Sequence, residues 1–305
     1  MSPVIRAGFE GSGSPRWLMR TLQRCGLDAA NGFKLELDLL GESAGPHGTL
    51  HALAEGRADV VDSDWLALSE ARAAGLPVTA VLPYGRILGT VMLHRDRPGT
   101  GLHDLCGCRL GVLSKRDKNW AILRAACAEI CSFDFESSVQ VVLRNSRAAL
   151  DAALADGTID AALVHWHRVP ELERAGHHVL AEIPDLVDRL APTGMPTTFF
   201  VVHEDLARQH PGRVEALISA VRAGIRILED EVTPWNDLAQ ERDCGLPAAA
   251  PLTALRQRWS GRVARNVTWN ENSRSALGAL RSRLCIAPAV RTALPAGVFA
   301  ERFLP

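Results

Sequence analysis

Five short stretches hold most of the residues able to do chemistry. GSGSP (11–15) sets glycines and serines ahead of a proline. Glycine lets backbone approach a ligand closely, Pro15 suits the first turn of a helix, and Ser14 suits its N-cap. Such a start presents N–H groups and the positive end of the helix dipole, which fit a carboxylate, sulfonate or phosphate. Ser12, Gly13 and Ser14 are the candidate contacts, with a plainly capped helix as the alternative. LSKRDKNW (113–120) closes a strand at Ser114 and gathers Lys115, Arg116 and Lys118 before a helix. Only three lysines occur among the 34 basic residues, the other being Lys34, so this pair stands out. The functional reading is an anion clamp with Lys115 toward the ligand and Ser114 and Asn119 as donors; the plain one is a solvated helix start.

Asp62, Ser63, Asp64 and Trp65 follow a strand. Carboxylates there would repel an anion but suit an amine, an amide or a pyrimidine-like edge. Asp64 is also the better N-cap for a helix at 65–75, so one acid is expected at the ligand and the other in the structure. His165-Trp166-His167 ends another strand, where two histidines would share a face and permit a metal. No third ligand is nearby in sequence, so no metal and no cofactor are expected, and His165 is read as a hydrogen-bonding group. Trp65 and Trp166 either sandwich a flat or aliphatic group or simply pack. Tyr84, the only tyrosine, precedes Gly85 and Arg86, and Arg86 could fork onto a carboxylate.

The elements that must position these residues alternate. Strands are predicted at 4–9, 33–40, 58–64 and 77–84, with helices at 14–26, 49–56 and 65–75 and a glycine-rich loop at 41–48. From about residue 90 a second unit repeats the scheme, with strands at 90–96, 108–114, 139–145, 159–165 and 176–183 and helices at 117–131 and 146–157. Residues 197–231 read as a strand and a long amphipathic helix, and 232–305 as mostly helical with proline breaks. The expected class is α/β, with largely parallel sheets.

Composition excludes several classes. The 305 residues are 47% hydrophobic and 23% charged, which is ordinary for a globular chain. The balance of 34 basic and 35 acidic residues argues against a protein held to nucleic acid by phosphate neutralisation. No apolar run approaches the ~20 residues that span a bilayer. Seven cysteines, Cys106, Cys108, Cys127 and Cys131 among them, form no repeated CxxC pair, so reduced thiols are expected. No secretory leader precedes the first strand, which points to the cytoplasm, or to the periplasm if a leader was trimmed.

Four segments carry a family resemblance: AGFEGSGSPRWLMRTL, LAEGRADVVDSDWLALSEARAAGLPVTAV, LCGCRLGVLSKRDKNWAILRAAC and ALDAALADGTIDAALVHWHRVPEL. In this order and spacing the chain resembles the type 2 periplasmic-binding-protein fold, specifically the NitT/TauT solute-binding family (nitrate, taurine and alkanesulfonate; SsuA-like), which includes THI5/NMT1-like proteins. The resemblance implies two α/β lobes closing on a ligand cleft: 1–88 with 196–305, whose last third braces that lobe, and 89–195. It adds Thr193 and Gly194, at the second crossing, to the ligand-binding set, and an ABC permease as the partner of an exported protein. The implied function is binding of a small organic anion or zwitterion. The alternative is a cytosolic enzyme on the same fold, a lyase or hydrolase-like protein with His165 as acid/base and Lys115 or Arg86 holding an acid group. The chain is distantly similar to aromatic sulfinate desulfinases, but their cysteine in the loop after the first strand is replaced here by GSGS. A Ser–His–Asp grouping of Ser12 or Ser14, His165 and Asp64 can be drawn, though without a G-x-S-x-G elbow.

Overall fold

The computed structural model describes residues 2–10, 13–40, 45–191, 194–241, 246, 250–263, 269–284 and 294–304. Its strands are β1 (Val4–Glu10), β2 (Lys34–Leu40), β3 (Val60–Asp64), β4 (Val78–Gly85), β5 (Thr90–Leu93), β6 (Arg109–Val112), β7 (Gln140–Leu143), β8 (Ala161–Val164), β9 (His178–Glu182) and β10 (Thr198–His203). They form two five-stranded sheets, in the orders β2-β1-β3-β10-β4 and β7-β6-β8-β5-β9. The inward residues of β1, Ile5, Ala7 and Phe9, recur with the period of two that a half-covered strand requires.

Neither sheet is as parallel as the alternation of strands and helices suggests. β1 pairs in parallel with β2 and β3, and β6 with β7 and β8. β10, however, runs antiparallel to both β3 and β4, and β5 antiparallel to both β8 and β9. The cause is the crossing between the sheets. β4 ends at Gly85 and β5 starts at Thr90, which pairs with Val164 and Glu182 at the ends of β8 and β9. β10 likewise starts at Thr198, opposite Asp64 and Gly85. A chain crossing at the carboxyl ends of the strands has to enter the next sheet running away from that end. Strand pattern gives a strand's existence but not its direction. The result sets the carboxyl ends of β1, β3, β6 and β8 and the amino ends of β5 and β10 around one crevice.

Helices cover the sheets. Ser14–Arg24 buries Trp17, Leu18, Met19 and Leu22 and packs on Pro211–Asp230. The outer edge of β4 is covered by the C-terminal segment, where Ala80 bridges Phe299 in parallel, which removes an exposed edge. The tail does not brace the first lobe alone. Helix Glu271–Leu284 packs against Lys118–Cys131 of the second lobe, and Arg283 donates to the Leu190 carbonyl at 2.5 Å. At the first crossing, the Arg86 amide donates to the Arg262 carbonyl at 2.6 Å and Gly85 bridges Val263. Gly85 has φ +152, and a Cβ there would lie 2.0 Å from the Arg262 carbonyl oxygen, so only glycine fits. Among the described residues no helix is long and apolar enough to cross a membrane.

Candidate functional site

The crevice between the sheets encloses a cavity of about 510 Å³. From the first lobe it is lined by Glu10 at the end of β1, by Gly13 and Ser14, by Asp62 and Asp64 on β3 and by Thr198 at the start of β10. The second lobe contributes Ser114, Lys118 and Asn119 after β6, Arg144 and Arg147 after β7, and His165 and Trp166 after β8. Helix Ser14–Arg24 starts without a side-chain cap. Its N-cap position is Gly13, at φ +131, rather than Ser14, because glycine tolerates that backbone and Ser14 is already helical. Ser14 is 1% exposed and faces the Tyr84 hydroxyl, while Oγ1 of Thr198, 3% exposed, has no hydrogen-bond partner among the described residues. A buried hydroxyl is rarely left unpaired, so Thr198 marks the wall where a bound molecule would be held.

Charge is divided largely by lobe, with Asp117 the acid on the mainly basic side. Glu10 pairs with Arg147 at 2.6 Å and Asp64 with Lys118 at 3.5 Å, each pair spanning the cavity from one lobe to the other. Asp64 also caps helix Trp65–Ala73, its Oδ1 accepting from the amides of Leu66 (3.0 Å) and Ala67 (2.9 Å). Burial pulls the Lys118 ammonium down, but Asp64, Asp117 and Asp62 outweigh it and leave its pKa raised. Among the described residues Asp62 has no ion-pair partner and no side chain hydrogen-bonded to its carboxyl. Burial, with Glu10 adding repulsion and Lys118 easing it, pushes its carboxyl up to about 7. Burial, then Arg147 and Lys118, lower His165 to about 3, and burial with His165 beside it takes His167 well below the ordinary value. Arg147 Nε donates to His165 Nδ1 at 3.3 Å, which puts the proton of this neutral ring on Nε2.

The sequence profile of the NMT1/THI5-like family matches residues 30–230. The chain belongs to the NMT1/THI5-like family. No curated protein matches it in sequence. Among solved structures it is similar to the alkanesulfonate-binding protein SsuA from Xanthomonas axonopodis pv. citri bound to MOPS, with 18% identity, 98% of this chain and 99% of that one covered, and a TM-score of 0.72. It is similar to the periplasmic aliphatic sulphonate binding protein SsuA from Escherichia coli, with 17% identity, 93% and 86% covered, and a TM-score of 0.71. It is also similar to an ABC transporter from Parabacteroides distasonis, with 13% identity, 98% and 99% covered, and a TM-score of 0.72. At these identities the structural likeness speaks for the fold, which is that of the periplasmic binding proteins.

In this NMT1/THI5-like chain the cavity gathers eight of the residues singled out from sequence: Gly13, Ser14, Asp62, Asp64, Ser114, Asn119, His165 and Trp166. Asn119 is committed to structure there, its Oδ1 accepting from the Gly89 amide at 2.7 Å and its Nδ2 donating to the capping Asp117 at 2.7 Å. Five others lie off the cavity wall. Lys115 turns outward, its Nζ 5.6 Å from the centre of the Trp120 ring. Arg86 is taken up at the crossing, by Asp188 and the Pro184 carbonyl, both at 2.7 Å. Tyr84 is fully buried, its hydroxyl accepting from Trp259 Nε1 at 3.2 Å, and burial raises its pKa. Trp65 is core, and Gly194 sits beyond helix Ile183–Leu190. Ser12, Thr193 and residues 41–44 of the glycine-rich loop lie outside the described residues.

The triad drawn from sequence does not assemble. His165 Nδ1 is held by Arg147, and Asp64 is spent on its cap and on Lys118. The two histidines do not share a strand face either: β8 stops at Val164, and Trp166–Arg168 form a 3-10 turn. Among the described residues no three His, Cys, Asp or Glu side chains come together to hold a metal ion. Glu10, Arg147 and Thr198 were not singled out from sequence, and Lys118 was passed over for Lys115. Glu10 ends an apolar strand and Arg147 opens the helix that follows one, a signal that could have found them.

Proposed function

We propose that this chain is a solute-binding protein that takes up a small organic anion or zwitterion between lobes formed by 1–88 with 196–305 and by 89–195. One observation carries this: a cavity of ligand size lies between the two sheets, walled by strand ends of both and offering the hydroxyl of Thr198, unpaired among the described residues, near a helix start that has no side-chain cap. Similarity to an alkanesulfonate-binding protein bound to MOPS and to an aliphatic sulphonate binding protein supports a sulfonate-like head group. On this reading the partner is an ABC permease, and the address is periplasmic rather than cytoplasmic. The enzyme alternative is disfavoured because burial and two cations hold His165 neutral and Arg147 occupies its Nδ1.

The test is calorimetry of the purified protein with morpholinopropanesulfonate and with C2–C6 alkanesulfonates. Binding without turnover is expected. Lys118→Met should weaken it by about 1.5–3 kcal/mol, as loss of a charged hydrogen-bonding partner does, while Lys115→Ala should change it by less than about 0.5 kcal/mol. Loss of binding in Lys115→Ala with Lys118→Met unaffected would overturn the site.

A further inference from the structure

The first lobe's wall is acidic, with Glu10, Asp62, Asp64 and Glu70, and the second lobe's is mainly basic, with Arg116, Lys118, Arg144 and Arg147 beside the helix-capping Asp117. Two of these acids are already answered across the cavity, Glu10 by Arg147 and Asp64 by Lys118. Asp62 is not. It lies two residues before Asp64 on the same strand, so both side chains leave the same face of β3. Glu10 repels it, and Lys118, the cation that acts on it, is engaged with Asp64. A carboxylate enclosed without a partner is costly, and the cost is relieved by a cation or a donor brought to it. A simple anion does the reverse: drawn to Lys118 or Arg147 it competes with Asp64 or Glu10 for them and adds negative charge to a cavity where Asp62 already lacks a counter-charge.

Resting on the reading of the cavity as a ligand site, we infer that the ligand is bipolar, with a protonated nitrogen seated on Asp62 and an acidic group turned toward Lys118, Arg144 and Arg147. Asp62 is then the residue that selects amino-bearing acids over plain ones of the same size. The ammonium supplies the charge that Asp62 lacks, and the acid end replaces, for the cations of the second lobe, whatever carboxylate contact it loosens. Neither lobe is left with an unanswered charge when it closes.

The probes are 3-aminopropane-1-sulfonate and butane-1-sulfonate, which match in length and differ in the terminal amine. Each is titrated into wild type and Asp62→Asn at neutral pH in a sulfonate-free buffer. Wild type should prefer the amino compound by about tenfold or more, the scale of one charge-assisted hydrogen bond. In Asp62→Asn that preference should fall to about twofold or less. The wild-type ratio needs no variant, so the inference stays testable even if Asp62→Asn folds poorly. Equal binding of the two probes, tighter binding of butane-1-sulfonate, or an unchanged ratio in Asp62→Asn would overturn the bipolar ligand and leave the binding site standing. Binding of neither probe would overturn both.

Discussion

Replacing Asp62 by asparagine should stabilise the empty protein, and do so more as pH rises. The unfolded chain ionises this carboxyl near 3.8 and the folded protein near 7. Between those values the folded state holds the proton more tightly, so the group's contribution is fully present below pH 3.8 and is lost as pH rises through 7. A pKa displacement of that size corresponds to about 4 kcal/mol, an upper figure because the group opens onto the cavity. For a chain of this length that is about 6 °C in melting temperature. His165 and His167 act in the opposite sense. Their depressed pKa values contribute stability that is present above the ordinary 6.5 and lost as pH falls, for His165 down to about 3. The windows overlap, so the wild-type curve alone is nearly mute, and the difference between variant and wild type isolates Asp62. Melts at pH 5, 6, 7 and 8 in sulfonate-free buffers should show the gap between Asp62→Asn and wild type widening toward pH 8. Parallel curves would refute the account of Asp62 as an enclosed, unpartnered acid.

Two further outcomes follow from contacts around the cavity. Gly85→Ala puts a methyl 2.0 Å from a backbone oxygen that cannot swing aside, so unfolding should become easier by about 3 kcal/mol or more; a variant that melts with wild type would mean that the strap at the crossing is not packed as described. The His165 ring should stay neutral from pH 5 to pH 8 in a histidine-resolved NMR titration, since burial and two cations hold its pKa near 3, and a resonance moving with a midpoint near the ordinary 6.5 would sink that environment.

Much of the fold was legible because hydrophobic alternation marks strands, whichever way they run. Strands were read close to their observed bounds around β1 to β4, yet the reversed entry of β5 and β10 was not, since direction is decided by how the chain crosses between sheets. The cavity was half legible. Asp64 stands where a cap must stand, Ser14 follows a strand and Asp62 lies near the end of one, but Arg86 and Tyr84 are claimed by Asp188 and Trp259, partners far along the chain that local pattern does not reveal. The choice between Lys115 and Lys118 turned on a signal that was present and unused. Asp117 caps the helix Lys118–Cys131, and Ser146 caps Arg147–Ala155, so Lys118 and Arg147 each occupy the first position of a helix. A cation there works against the helix dipole, at about 0.3–1 kcal/mol. Each is offset from the other lobe, by Asp64 and by Glu10. A basic residue directly behind an N-cap, at the carboxyl end of a parallel strand, is therefore a mark of a carboxylate waiting across a cleft. Lys115, three residues earlier and ahead of the cap, carries no such cost and needs no such partner.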